Sequence, residues 1–191
     1  MIDYVKIAEE VRLYTKKAVK PKRYEHSVRV AEMMARLCRM YSLDEHKGYL
    51  AGIGHDMCKE LPAEEMIELA KKDGKEITEL EYSTVALLHG RAAAVLFKEK
   101  FHVSDRELLE AVANHISGFP GMCDFSKCLF IADKIEPGRP QSTDEYRKKM
   151  LRLDLNHLFY SVLKDNYDYI EKKGYTMSID TKKMLEYYKI V

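Results

Sequence analysis

The chain contains no apolar run approaching the roughly 18 residues of a membrane span, so a helical membrane protein is excluded. Its first residues, MIDYVKIAEEVRLYTKK, mix acids and bases at helical spacing and lack the apolar centre of a signal peptide. Four cysteines (Cys38, Cys58, Cys123 and Cys128) form no CxxC pair and none of the spacings of a zinc site. They are expected to be reduced structural thiols, which favours a cytoplasmic location. Charge of one sign is lacking too: 32 Lys and Arg against 31 Asp and Glu leave a net charge of +1. No overall field therefore draws the protein to nucleic acid or to a membrane surface, and any anion must be held by local groups. Period-two alternation, internal repeats and low-complexity tracts are absent as well.

What is present is a chain of 191 residues, 46% apolar and 33% charged, enough to bury one substantial core. Nearly every segment reads as helix. Ile2, Val5, Ala8 and Leu13 set an apolar spacing over 2–17, which Pro21 is expected to end. A second helix from Tyr24 carries His26, Val30, Met33, Leu37 and Met40 at steps of three and four. A third runs from Asp44 into Asp56, and Pro62 opens AEEMIELAKKDG with Gly74 as its stop. The stretch ITELEYSTVALLHGRAAAVLFKEKF reads as one long helix, and Ser104 with Glu107 as the capping box of the next. GFPG is a turn, a helix covers 123–136 up to Pro137-Gly138, and further helices cover 142–150 and 154–173 before a short last one. The expected fold is all-α, a single domain over 1–191 with a helix in 1–20 packing on it and a C-terminal segment at 174–191.

The ionisable residues fall where those helices demand core. His26 heads the stripe of Val30, Met33 and Leu37, and His89 shares a face with Val85, Ala92 and Leu96. His115 lies on the face of Leu108 and Val112, and Asp133 on that of Leu129 and Phe130. His55 and Asp56 close the small-residue run GYLAGIG, about 100° apart around a helix. Gly52 and Gly54 would let neighbouring backbones approach there. One buried histidine is ordinarily just hydrogen-bonded. Four histidines and two aspartates on five helices are more economically satisfied together, around cations whose charge offsets the buried acids. His46, His102 and His157 sit beside polar neighbours and read as surface residues.

The ordered set His26, His55-Asp56, His89, His115 and Asp133 resembles the HD-domain metallophosphohydrolase superfamily. KRYEHSVRVAEMMARL, LAGIGHDMCKELP, LLHGRAAA, ANHISGFPGM and KCLFIADKIEPGRP narrow the resemblance to its YqeK-type subfamily, over residues 22 to 181. That subfamily is one of symmetrical bis(5′-nucleosyl)-tetraphosphatases, which split diadenosine tetraphosphate into two ADP. The resemblance implies a helical bundle with the metal site between core helices. It makes His26, His55, Asp56 and Asp133 the metal ligands, and His89 and His115 either ligands of a second metal or phosphate contacts. Asp56 and Lys59 would be catalytic. Substrate would touch Lys59, His89, His115, Ile116, Asp133, Arg139, Asp180 and Thr181. The C-terminal loop departs from the family's IHPDT, reading Met177-Ser178-Ile179-Asp180-Thr181.

The implied reaction is attack on a phosphoryl group by hydroxide activated on a divalent transition metal. Imidazole and carboxylate without thiolate suit iron, manganese, cobalt or nickel, and the resemblance favours iron, as one ion or two. An ADP- or GDP-like nucleotide is the expected partner, with no nucleic acid and no membrane, and a homodimer left open. Rival readings are another HD phosphohydrolase of nucleotides or deoxynucleotides, and a nucleotide-binding sensor without turnover.

Overall fold

The computed structural model describes residues 2–174 and 179–189, apart from the side chains at 179 and 180. Helix α1 (Tyr4–Ala18) is capped by the Asp3 carboxylate, which accepts from the Lys6 amide. Helix α2 (Pro21–Met40) then begins with Pro21, where its missing N–H leaves no bond unmade. Pro21 therefore starts the second helix rather than ending the first, which stops unaided at Ala18. Helix α3 (Glu45–Gly54) is capped by Asp44 through the His46 and Lys47 amides. It ends two residues before Asp56, so His55 and Asp56 lie just beyond it rather than within it.

Helix α4 (Ala63–Lys71) follows Pro62 as expected. The long helix expected over 77–101 is instead three pieces: α5 (Glu79–Ser83), a 3-10 turn (Val85–Leu88) and α6 (His89–Lys100). The break is at Thr84, β-branched and held at φ −135°, ψ 69°, outside the helical region. Periodicity ran through it because the 3-10 turn nearly conserves helical spacing. Helix α7 (Arg106–Asn114) is capped by Asp105, not Ser104: its carboxylate accepts from the Leu108 amide at 3.0 Å. Asp105 also accepts from the Tyr4 hydroxyl and pairs with Lys47, contacts that a serine could not make ionically. Helices α8 (Asp124–Ile135), α9 (Asp144–Met150), α10 (Leu155–Lys172) and α11 (Ile179–Tyr187) complete an all-α fold, with no strand among the described residues.

The core runs between α2, α3 and α8, with α7 and α10 against α8 and α6 against α7. Its largest buried side chains include Phe97, Phe125, Phe130 and Phe159. Helix α1 lies on α3 through Ala8, Val11 and Thr15, whereas Val5 and Leu13, expected inside, are 60% and 48% exposed. Met40, at the end of the α2 stripe, is exposed as well. On α6 the buried apolar side chains after His89 are Ala92, Ala93, Val95 and Phe97, whereas Val85 and Leu96, expected on its face, are only partly buried. Gly52 is where α3 meets α2 backbone to backbone: a Cβ there would lie 2.5 Å from Ala31 Cα. Gly54 answers to side chains instead, the ring of Phe97 at 2.4 Å and Val11 at 2.8 Å. All four cysteines are free, with Cys38, Cys58 and Cys128 buried. No helix is long and apolar enough to cross a membrane among the described residues.

Candidate metal centre

Six residues from five elements meet at one end of this core. His26 comes from the second turn of α2, and His55 and Asp56 from the turn after α3. His89 opens α6, His115 follows the last residue of α7, and Asp133 lies in the final turns of α8. His55, Asp56, His89 and His115 are all buried, His55 completely.

The four histidines share one tautomer. Nδ1 of His55 donates to the Gly52 carbonyl (2.7 Å), Nδ1 of His89 to that of Ala86 (2.5 Å), and Nδ1 of His115 to that of Val112 (2.7 Å). A carbonyl only accepts, so each Nδ1 carries the proton and each Nε2 keeps its lone pair. These carbonyls lie three residues back, in the last turn of α3, the 3-10 turn and the end of α7, where helical acceptors lack partners. His26 reaches the same state differently, through Nδ1 to the Glu136 carboxylate at 3.0 Å. All four thus turn a basic nitrogen toward Asp56 and Asp133.

Asp56 is the hub. His89 Nε2 lies 2.8 Å from its Oδ1, His55 Nε2 and His115 Nε2 3.7 Å from it, and His26 Nε2 3.9 Å from Oδ2. Asp133 Oδ1 is 3.1 Å from His26 Nε2 and 3.8 Å from His55 Nε2. Two triads are close enough to hold an ion each: His26, His55 and Asp56, and then Asp56, His89 and His115. The donor set fits a divalent metal on a further ground, since buried His55 Nε2 has no hydrogen-bond partner. A nitrogen lone pair left bare in a core is costly unless something electron-poor meets it.

Electrostatics agree with neutral imidazoles at His55, His89 and His115 and with ionised carboxylates. Burial pushes the His55 imidazole down to about 4, and it lowers His89 and His115 likewise. His26 alone is raised, because the Asp133 and Glu136 carboxylates outweigh its burial. Burial works against ionising Asp56 and Asp133, yet both stay well below the usual carboxylate range: His55, His115 and His89 hold Asp56, while Lys134, His26 and Arg139 hold Asp133. Glu136 is held at about 2, against its burial, by His26, Arg29 and the Gly138 amide.

Above the centre opens a cavity of about 840 Å³ whose lining includes Asp56, His89, His115, Ile116 and Asp133. Four cationic side chains rim its inner end: Arg23, Lys59, Lys134 and Arg139. Lys59 Nζ stands 3.0 and 3.1 Å from the two nitrogens of His89, and burial lowers its affinity for protons. Arg139 donates to Asp133 at 2.5 Å, and Arg23 to Asp56 at 2.8 Å. Thr181, at the start of α11, donates to the Ser117 carbonyl two residues past His115 and is not in the described lining. The Asp180 side chain, and Met177 and Ser178, lie outside the described residues. His46, His102 and His157 are exposed and remote from this cluster.

Sequence reading missed Glu136, Arg29, Arg23 and Lys134. Arg29 had a signal, standing three residues after His26 on the same face of α2, whereas Glu136 stands just past the end of α8. Their ion pair, Arg29 Nε to Glu136 Oε2 at 2.5 Å, ties α8 to α2 behind the ligand His26. Lys134 is also out of sequence view; its ammonium bridges Asp133 (3.1 Å) and the His115 carbonyl (2.9 Å), over the Phe130 ring at 3.9 Å. Farther back, the Arg91 guanidinium gathers Asp73, Glu81 and the carbonyls of Lys75 and Glu76, fastening the 73–81 segment two residues from His89.

The order and convergence of these ligands match a known family: the HD domain model covers residues 23–138. The chain belongs to the HD domain family. Within it, the chain is 31% identical to a symmetrical bis(5′-nucleosyl)-tetraphosphatase of Staphylococcus aureus, over 94% of this chain and 93% of the relative. The Bacillus subtilis protein of the same name is also 31% identical, over 91% and 92%. A crystal structure from Clostridium acetobutylicum, described as a predicted HD superfamily hydrolase involved in NAD metabolism, shares 30% identity. It superposes with a TM-score of 0.86, covering 94% of this chain and 95% of its own. The HD resemblance drawn from the sequence, and the all-α fold it implied, are borne out. HD domain hydrolases depend on metal, and this member carries the His/Asp clusters to hold one.

Proposed function

We propose that this HD domain enzyme hydrolyses dinucleoside tetraphosphates symmetrically, with diadenosine tetraphosphate giving two ADP. The observation that carries the reading is the pairing of two elements in one cavity. Four Nε2 lone pairs and two carboxylates converge at its inner end, and four cations rim them. That arrangement takes a metal below and a polyanion above, and the named relatives bear the corresponding title.

In this reading His26, His55, Asp56 and Asp133 hold one ion, while His89 and His115, with Asp56, hold a second or meet the phosphates. A bound divalent metal supplies Lewis-acid polarisation of phosphoryl oxygen and a more acidic water. Iron is the first metal to load, with manganese, cobalt and nickel suited to the same donors. The chain's own groups do the rest. Lys59, Arg23, Lys134 and Arg139 neutralise the tetraphosphate and the charge that grows on the departing diphosphate. Arg139 and Arg23 offer N–H groups in a fork that matches phosphate oxygens, and each now rests on a site carboxylate. Glu136 keeps the His26 ring turned toward the centre.

The test is to load the purified protein with each of the four metals, supply diadenosine tetraphosphate and resolve the products by chromatography. ADP alone is expected. AMP with ATP, or no turnover with any metal, would overturn the proposal.

A further inference from the structure

The basic inner end accounts for phosphates but not for what a dinucleotide carries beyond them. Resting on the tetraphosphatase reading, the rest of the cavity acquires a role. It continues outward from the metal centre to α9 and α10, where its lining changes character. Val162, Asn166, Tyr169 and Ile170 recur at steps of four, three and one, so a single face of α10 forms this wall. Tyr146 of α9 lines it too. The cations that line the cavity all belong to its inner end; out here the Lys173 ammonium lies over the Tyr169 ring at 5.9 Å from its centroid, and the one acid in the lining, Asp165, would repel phosphate.

Three details point to a flat, weakly polar ligand. Tyr169 is 57% exposed, a large aromatic ring that packs into no core yet lines a cavity. The Tyr146 hydroxyl donates to Asp165 Oδ2 at 2.7 Å, which fixes one end of the ring and occupies the carboxylate. Among the described residues no side-chain hydrogen bond engages the Asn166 amide, which leaves a donor and an acceptor side by side. A nucleobase has apolar faces for the rings and Ile170, and an edge for the amide. Adenine offers an N–H donor beside a ring-nitrogen acceptor, the complement of a carboxamide, whereas guanine presents two acceptors on the corresponding edge.

We propose that the outer arm is a nucleoside subsite, in which Tyr169 and Tyr146 support the base of one nucleotide and Asn166 selects adenine over guanine. The phosphates then run inward from the subsite to the cations.

The experiment uses the metal-loaded full chain and its Tyr169→Ala, Asn166→Ala and Asn166→Asp variants. Diadenosine and diguanosine tetraphosphate serve as substrates, and ADP and GDP as calorimetric ligands. Tyr169→Ala is expected to raise KM for diadenosine tetraphosphate roughly tenfold with kcat within about twofold, the loss of one stacked base. Asn166→Ala should bring the ADP and GDP affinities together, and Asn166→Asp should weaken both, since on the N6/N7 edge a carboxylate has no donor for N7 and faces two acceptors in guanine. Active wild type, with KM and both affinities unchanged in all three variants, would overturn the subsite alone. Inactive wild type would overturn the hydrolase reading, and the ADP and GDP titrations would then decide the subsite by themselves.

Discussion

At His26 the partner of Nδ1 is a carboxylate, whereas His55, His89 and His115 have a backbone carbonyl there. Carbonyls are fixed by the fold, so only the His26 arrangement can be tuned by one side chain. Glu136 also accepts from Arg29 and from the Gly138 amide at 2.5 Å, which leaves it little freedom to turn. Glu136→Gln keeps the size and removes the charge, and a carboxamide can present its N–H to His26. Metal affinity is expected to fall about 10- to 100-fold, the usual effect of losing the partner behind a ligand histidine. Titration against a chelator of known affinity measures it; unchanged affinity with intact helicity would refute the role. His26 and Asp133 were legible in the sequence because each interrupts an apolar stripe. Glu136 was not, because an acid just past a helix end, beside Pro137-Gly138, has the composition of an ordinary turn.

At the scale of elements, the site is a product of how helices end. His55, His89 and His115 all stand at helix boundaries, and each borrows a carbonyl from the preceding turn. The exact place of those boundaries was the least legible feature in the sequence. A helix read through Thr84 would carry His89 mid-helix, without the 3-10 turn that brings the Ala86 carbonyl to its Nδ1. The α1 stripe misled for a related reason: small Ala8 and Thr15 face α3 because the helices lie close, so size rather than hydropathy chose the buried face. Close approach is sharpest at Gly52, three residues before His55, where the atoms a methyl group would strike belong to the Ala31 and Val30 backbone. Neither helix can yield there by turning a side chain. Gly52→Ala should cost about 1–3 kcal/mol from overpacking, offset in part by about 1 kcal/mol of helix propensity. Because the same shift moves the carbonyl that orients His55, metal affinity should fall with stability. Thermal melting and metal titration on the one variant check both, and loss of stability without loss of affinity would separate the packing role from the site.

For the whole molecule, the centre draws its ligands from elements that also pack on one another. His26 and Asp133 belong to the α2–α8 pair, His55 and Asp56 follow α3, and His89 and His115 bound the α6–α7 pair. At this junction the two carboxylates stand beside Arg23, Arg139 and Lys134, and His55 Nε2 has no hydrogen-bond partner. An ion meets several of these groups at once and binds only when the five elements are assembled, so its binding free energy adds to folding stability. With metal at about 100 times its dissociation constant the gain is about 2.7 kcal/mol. For a chain of this length that corresponds to roughly 5–10 °C in Tm. Stripping the protein with a chelator should lower Tm by that amount, and returning metal should restore it. Asp56 belongs to both triads, so Asp56→Ala should melt at one temperature with or without metal. His115→Ala, which leaves the triad of His26, His55 and Asp56 intact, should keep part of the increment. Scanning calorimetry of the three proteins with and without chelator decides the matter. A wild-type Tm that ignores the chelator, or an Asp56→Ala variant that still responds to metal, would remove Asp56 from the hub.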